Sequence, residues 1–374
     1  MAQVKNKSDR LLALDAFRGL TIAFMIIVNT PGNWSYVYGP LRHAEWHGCT
    51  PTDLVFPFFL FIVGVAMRFS FARHNYQPSS DLLKKIFWRT VTIFSFGLLL
   101  NAYPFIRQNW DWTSLRIMGV LQRIGLAYGL AAILSLYLSE KKLWISCGII
   151  LIGYWLILLL FGGSDPFGLS SNIARTIDIA ILGENHLWRG TGIPFDPEGL
   201  LSTIPAIVTV LIGFSIGQLI QKVPDQMRLV QTILIRGAGI AAVGWLWGFI
   251  FPINKQLWTS TYVLYTGGLA SFFLAAFIWL IDIRGYKKLS WPFMIFGTNS
   301  IFVFIGSGLW VKTILKVKFD YNGDIISGYS YLYNTIFQPL AGNINGSFLF
   351  ALAHVLGWWL ILFWLYRKKI FIKI

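Results

Sequence analysis

Residues 11–31 read LLALDAFRGLTIAFMIIVNTP, with one acidic and one basic side chain in an otherwise apolar run. Lipid supplies no water to satisfy backbone N–H and C=O groups, so an apolar stretch of about 20 residues crosses a bilayer as a helix. The run lacks the strict alternation of a barrel strand. Working outward from it, similar runs recur and give ten expected spans, near 11–31, 54–73, 86–103, 115–138, 143–162, 200–221, 231–251, 258–281, 291–313 and 347–366. The composition leaves little choice: the 374 residues are 56% hydrophobic and only 13% charged, with a mean hydropathy of +0.61. A water-exposed surface carries about 25% charged residues or more, which excludes a set of soluble domains. The expected fold is all-α, a polytopic integral membrane bundle forming one domain over 1–374. Residues 1–10 are polar and precede a run long enough to span, so no cleavable leader is expected.

A net charge of +15 in a soluble chain points to nucleic acid. Here the basic residues follow the alternation of the spans instead. Lys5, Lys7 and Arg10, then Arg73, Lys84 and Lys85, Lys141 and Lys142, Lys222 and Arg228, Arg284, Lys287 and Lys288, and finally Arg367, Lys368, Lys369 and Lys373 fall in every second connection. The other connections hold only Arg42, Arg107, Arg175, Arg189, Lys255, Lys316 and Lys318. The positive-inside rule then sets both termini in the cytoplasm, makes the lipid bilayer the partner and leaves no role for nucleic acid. Three long loops, near 31–53, 163–199 and 314–346, fall on the outer side. The second is net acidic, with Asp165, Asp178, Glu184, Asp196 and Glu198 against Arg175 and Arg189. Long loops gathered on one side suggest a capped site there.

Polar groups inside a span are costly, and each is a functional candidate. At 100° per residue Asp15, Arg18, Thr21 and Asn29 form one stripe along the first span, rising roughly 16 Å from Arg18 to Asn29. Arg116 and Arg123, seven apart, are expected to share a face of the fourth span, with Gln122 beside them. Asn299 and Ser300 lie in the ninth span and His354 in the tenth, the last reading as a packing residue. In the first outer loop His43 and His47 stand at i, i+4, but Glu45 is misplaced for H-E-x-x-H and no third ligand is near, so no metal is expected. His43 reads better as a single reactive imidazole, with Asp53 and Glu45 available to orient it. Cys49 and Cys147 suggest neither a disulfide nor a metal site.

These segments, LDAFRGLTIAFMIIVN (14–29), RHAEWHGCTPTDLVFPFFLFIVG (42–64), RIMGVLQRIGLAY (116–128), FDPEGLLSTIPAIV (195–208), LWTSTYVLYTGG (257–268), FGTNSIFVF (296–304) and LYRKKIFIKI (365–374), occur in an order that resembles the heparan-α-glucosaminide N-acetyltransferase family and its bacterial relatives. The R-H-A-x-W-x-G-x-T-x-x-D-L-V-F-P segment is the specific one; L-D-x-x-R-G is shared more widely among membrane acyltransferases. The resemblance implies a membrane enzyme that moves acetyl from cytosolic acetyl-CoA to the amine of a glucosamine-type acceptor on the far side, and a homodimer. His43 takes the position of the family's catalytic histidine, and Asn29 that of the asparagine beside it. The sequence departs at His47, where the animal members carry Asn. The amino-terminal luminal domain of those members is not found here, which makes a bacterial inner membrane the expected location.

On this reading His43, Asn29 and Asp53 form the catalytic set. Either Asn29 or Asn299 would donate to the oxyanion. Arg18, Asp15, Gln122, Arg123, Asn299 and Ser300 line the acetyl-CoA path, while Glu45, Trp46, His47, Glu198 and Trp258 contact the acceptor. The rival reading is an amino-sugar or N-acetylglucosamine transporter. Against it, the spans show no evident two-fold repeat and no matching pair of Gly/Pro-broken segments.

Overall fold

The computed structural model describes residues 11–104 and 111–372; Lys5, Lys7, Arg10, Arg107 and Lys373 lie outside them. Helix α1 (Leu12–Asn29) leads through a loop and a 3-10 turn (Pro51–Leu54) into α2 (Val55–Ala72). Then come α3 (Ser80–Ala102), α4 (Val120–Tyr137), α5 (Glu140–Phe161), the short α6 (Ile173–Leu182), α7 (Leu200–Lys222) and α8 (Gln226–Trp247). Helix α9 (Ser260–Phe277) widens into a π turn (Ile278–Ile283) before α10 (Lys287–Thr298) and α11 (Ser300–Lys316). An antiparallel hairpin, β1 (Lys318–Tyr321) and β2 (Asp324–Ser327), precedes α12 (Gly328–Leu332), a second π turn (Tyr333–Phe337) and α13 (Gln338–Arg367). Several helices start where a short polar side chain accepts an otherwise unpaired first-turn N–H: Ser79 from Leu82, Ser139 from Lys142, Asn172 from Arg175, Asp225 from Arg228 and Thr259 from Tyr262.

The chain is a multi-pass membrane protein. Among the described residues eight helices are long and apolar enough to cross a bilayer, or nine if one bent pair counts as a single span. Ten were expected, and the shortfall has two physical sources. Helix α3 has the length, with 23 residues, but Asp81, Lys84, Lys85 and Arg89 make its first half too polar. The ninth expected span breaks at Asn299, with 78° between its halves. Asn299 is non-helical because its side chain binds the carboxy-terminal segment, donating to the Ile370 carbonyl at 3.2 Å and accepting the Ile372 N–H at 2.7 Å. The fourth span starts later than expected. Asn101 Nδ2 donates to the carbonyls of Arg116 (2.9 Å) and Met118 (3.1 Å), and that segment stays outside the helix. Arg116 therefore precedes α4 and shares no helix face with Arg123.

Helix α2 packs along α7, α8 along α9, α1 along α10 and α3 along α4. The closest of these contacts rest on glycine. A Cβ on Gly64 would overlap the Val210 carbonyl, and one on Gly213 the Phe61 carbonyl. Without water to drive association, such small-residue contacts let helix backbones approach. Burial then orders the bundle: 78% of the apolar window of α7 is buried, against 28% for α5 and 33% for α8. Helix α7 is the central post, while α5 and α8 present apolar side chains to lipid. At one end the loops interlock. Trp46 Nε1 donates to the Phe167 carbonyl (2.8 Å), the Gly48 N–H to Ile253 O (2.7 Å), the Asn33 N–H to Ser347 Oγ (3.1 Å) and the Ile117 N–H to His186 O (3.2 Å).

Candidate active site

The loop after α1 is pinned by one carboxylate. Asp53, in the 3-10 turn that starts α2, accepts on Oδ2 from the N–H of Ala44 (3.1 Å) and from the N–H and hydroxyl of Thr50 (both 3.0 Å). Its Oδ1 lies 2.6 Å from Nδ1 of His43, and the Tyr262 hydroxyl donates to its backbone carbonyl at 2.5 Å. Asp53 is buried, and the His43 side chain is 44% exposed. A proton on Nδ1 held by the carboxylate leaves Nε2 as the free base of the ring.

His43 lines a cavity of about 100 Å³ together with Thr21 and Asn29 of α1, Thr52, Glu198 and Lys255, closed by apolar side chains of α1, α2, α4 and α11. Two of the four stripe residues of α1 thus reach it. The other two are spent on each other and on packing: Arg18 pairs with Asp15 at 3.0 Å and reaches the Gly297 carbonyl at 3.4 Å. Glu198 is held by Arg116 at 2.5 Å, and Arg116 also makes a two-pronged pair with Asp196 (2.8 and 2.7 Å). Burial disfavours the Arg116 charge, but the two carboxylates outweigh it and raise its pKa.

The remaining expected site residues do not line this cavity. Arg123 is fully buried in α4, bonded to Ser202, to Thr203 (3.3 Å) and to the Gly199 carbonyl (3.4 Å), with its guanidinium 4.9 Å from the Trp258 ring. Trp258, also buried, donates to Thr209 and packs on Phe56 and Tyr262. Arg123 and Trp258 together tie α4, α7 and α9 below the site. Gln122 donates to Ile117 O at 2.8 Å. Asn299 holds the carboxy-terminal segment, and Ser300 opens α11. Trp46 packs on Phe195, and His47 faces Asn254 at 3.3 Å, where burial lowers its pKa and Asp165 partly opposes the shift. Glu45 is exposed on the loop. Beyond the cavity, Asp178 accepts the Leu200 N–H at the start of α7 (2.8 Å), and its Oδ2 is buried without a partner among the described residues. Burial pushes this carboxyl up to about 7, against the Leu200 N–H, with Asp196 adding to the rise and Arg123 opposing it.

Two features escaped the sequence reading. Lys255, counted only as a loop charge, has its Nζ 3.1 Å from Nδ1 and 3.3 Å from Nε2 of His43 and 3.7 Å from Asp53 Oδ1. A lone cation in the short connection 252–259, just before LWTST, is the signal that was available. The second feature is a cavity of about 940 Å³ at the far end of α2, lined by Arg73, His74, Lys85 and Arg89 with Trp88, Phe96, Tyr128 and residues of α11. Among the described residues Arg89 Nε is buried there without a partner, and its guanidinium lies 4.8 Å from the Tyr128 ring. The two cavities are consecutive along the helices they share. Ile124 lines the first and Tyr128, one turn on, the second; Phe304 lines the first and Ile305 the second.

Comparison with known proteins gives a consistent result. A family model described as "Heparan-alpha-glucosaminide N-acetyltransferase, catalytic" matches residues 10–244. The mouse (Mus musculus) heparan-alpha-glucosaminide N-acetyltransferase is 29% identical over 426 residues, covering 99% of this chain and 61% of the mouse protein. The human (Homo sapiens) protein of the same name is 30% identical over 423 residues, covering 98% of this chain and 60% of its own length. The chain thus spans about three fifths of the curated relatives it matches.

Proposed function

Because the chain belongs to the heparan-alpha-glucosaminide N-acetyltransferase family, we propose that it transfers acetyl from acetyl-CoA to the amine of glucosamine or a terminal glucosaminide. The donor comes from the cytosolic face and the acceptor from the opposite one, in a bacterial inner membrane with both termini in the cytoplasm. The observation that carries this reading is the His43–Asp53 pair at the wall of a cavity that follows directly on a larger basic one. Arg73, Lys85 and Arg89 suit the phosphates of the donor, since guanidinium and ammonium groups pair with phosphate oxygens and Arg89 has a buried N–H with no partner among the described residues. The shared walls on α4 and α11 give the flexible arm of the donor a path toward His43.

At the far end of that path His43 Nε2 removes the proton from the sugar ammonium, or takes the acetyl group and passes it on. Asp53 keeps the proton on Nδ1 and steadies the imidazolium that forms. Asn29, at the last position of α1 and on the cavity wall, donates to the carbonyl oxygen.

The test is acetyl transfer by purified protein from acetyl-CoA to a panel of amino sugars, followed by mass spectrometry. His43→Ala is expected to lower kcat by a factor on the order of 10³ with the protein still monodisperse. Proteoliposomes that accumulate N-acetylglucosamine, formed from protein that makes no acetylated sugar, would instead establish a transporter. After acetyl-CoA alone, an acetyl adduct on His43 marks the two-step route and its absence the direct one.

A further inference from the structure

The segment between α8 and α9 is fixed more firmly than a simple connection requires. Gly48 forms a parallel bridge with Asn254, whose side chain is fully buried. Asn254 Oδ1 accepts the Leu257 N–H at 2.8 Å, its own N–H donates to Thr259 Oγ1 at 3.0 Å, and the Trp258 N–H closes onto the Lys255 carbonyl at 3.0 Å. Trp258 accepts a left-handed backbone, φ 51°, to complete this turn. A bulky non-glycine residue adopts that conformation only where its surroundings enforce it. The outcome is one aimed side chain, that of Lys255, with 19% of its surface exposed and its Nζ beside both nitrogens of His43.

One carboxylate oxygen, Asp53 Oδ1, faces two groups able to carry positive charge, the imidazole and the ammonium. Two cations this close repel, so the one with the higher intrinsic basicity takes the charge. Lys255 is then the ammonium, and His43 holds its Nδ1 toward Asp53. An ammonium has three N–H donors. His43 Nε2 and Asp53 Oδ1 face two of them, which leaves one for a ligand in the cavity that Lys255 lines.

Resting on the acetyltransferase reading above, we propose that Lys255 is a catalytic residue whose ammonium stabilises the negative charge on the acetyl carbonyl oxygen during transfer. The nitrogen lone pair of the sugar amine forms a bond to the thioester carbon, and the C=O π pair moves onto oxygen, where Lys255 and Asn29 receive it. His43 Nε2, released from the ammonium as it turns to that oxygen, takes the amine proton. Re-forming the C=O bond breaks the C–S bond, and the proton passes from His43 to the departing thiolate. The products are the N-acetyl sugar and CoA thiol.

The groups facing Lys255 set its pH behaviour. They are His43 and Cys49 of the first loop, Asp53 of the 3-10 turn, and Glu198 before α7. Burial lowers the Lys255 pKa from its ordinary 10.5, and Asp53 and Glu198 only partly offset this. Burial and Asp53 push the Cys49 thiol up to about 12, so it stays neutral and adds no counter-charge. The ammonium is lost as pH rises through the lowered pKa, so activity should fall on the alkaline side below pH 10.5.

The experiment uses full-length detergent-purified protein with acetyl-CoA and glucosamine, comparing wild type, Lys255→Met and Lys255→Arg. Lys255→Met is expected to lower kcat about 100-fold or more, with the acetyl-CoA KM within about threefold of wild type. Lys255→Arg, which keeps the charge at every accessible pH, should recover at least a tenth of wild-type kcat and move the alkaline limb upward. If Lys255→Met aggregates, Lys255→Gln takes its place, since it keeps a polar end and loses the charge. A neutral variant with kcat within threefold of wild type overturns the proposal. So does an arginine variant no better than the neutral one, or an acetyl group found on Lys255 itself during turnover. Wild-type protein that transfers no acetyl would refute the function proposed above, whereas an active wild type with an equally active neutral variant refutes only the role of Lys255.

Discussion

Asp53 joins two tasks in one side chain. Its Oδ2 organises the turn into α2 through Ala44 and Thr50, while Oδ1 holds His43. Asp53→Asn keeps the volume but must turn an NH₂ either toward the N–H donors of the turn or toward His43. The expected result is a fall in kcat by a factor on the order of 10³, with a lower thermal midpoint; wild-type kcat in a folded Asp53→Asn protein would rule out the orienting role. His43 and Asp53 were legible as partners because few polar groups occur in so apolar a chain and these two lie ten positions apart. Lys255 was not, because its contact with His43 spans 212 positions and no local pattern encodes it.

Among the elements, the contact of α2 with α7 leaves no room for a side chain where the two backbones meet. Leucine at Gly64 would push against the Val210 carbonyl, which belongs to helix backbone and cannot swing away. Gly64→Leu is expected to cost about 2 kcal/mol or more and to lower the thermal midpoint measured by light scattering. Gly148→Leu on α5, where nothing lies within 4 Å, should leave the midpoint within a few degrees. Equal midpoints for the two variants would show that the close approach is not needed. Apolar length and capping residues made the helices readable one by one. The break at Asn299 was not readable, because it depends on the backbone of Ile370 and Ile372, more than 70 positions away.

Across the whole molecule, a basic cavity and the one lined by His43 stand at opposite ends of α2 and share walls on α4 and α11. Under the proposed function, that division makes the donor's binding and its chemistry separable. Arg89→Gln should raise the KM for acetyl-CoA about tenfold while changing kcat less than threefold, and added salt should weaken donor binding less in the variant. A fall in kcat with unchanged KM would move the phosphates elsewhere. The sequence reading set Arg18 on the acetyl-CoA path; in the structure it is engaged with Asp15 and the Gly297 carbonyl.

What the sequence determined by itself is the environment of the chain and the economy of its polar groups. Apolar runs of membrane length force helices, because backbone hydrogen bonds in lipid must be met within the segment, and this requirement is local. The same economy singles out His43, Asp53 and Asn29. Tertiary structure alone decided which charges are spent on packing and which face a cavity. Arg18 and Arg123 look alike in sequence to Lys255 and Arg89, yet the first pair is consumed by neighbouring helices and the second lines open space. An ion pair or a cavity wall is made by residues brought together from distant positions, so its chemistry exists only once the helices have packed.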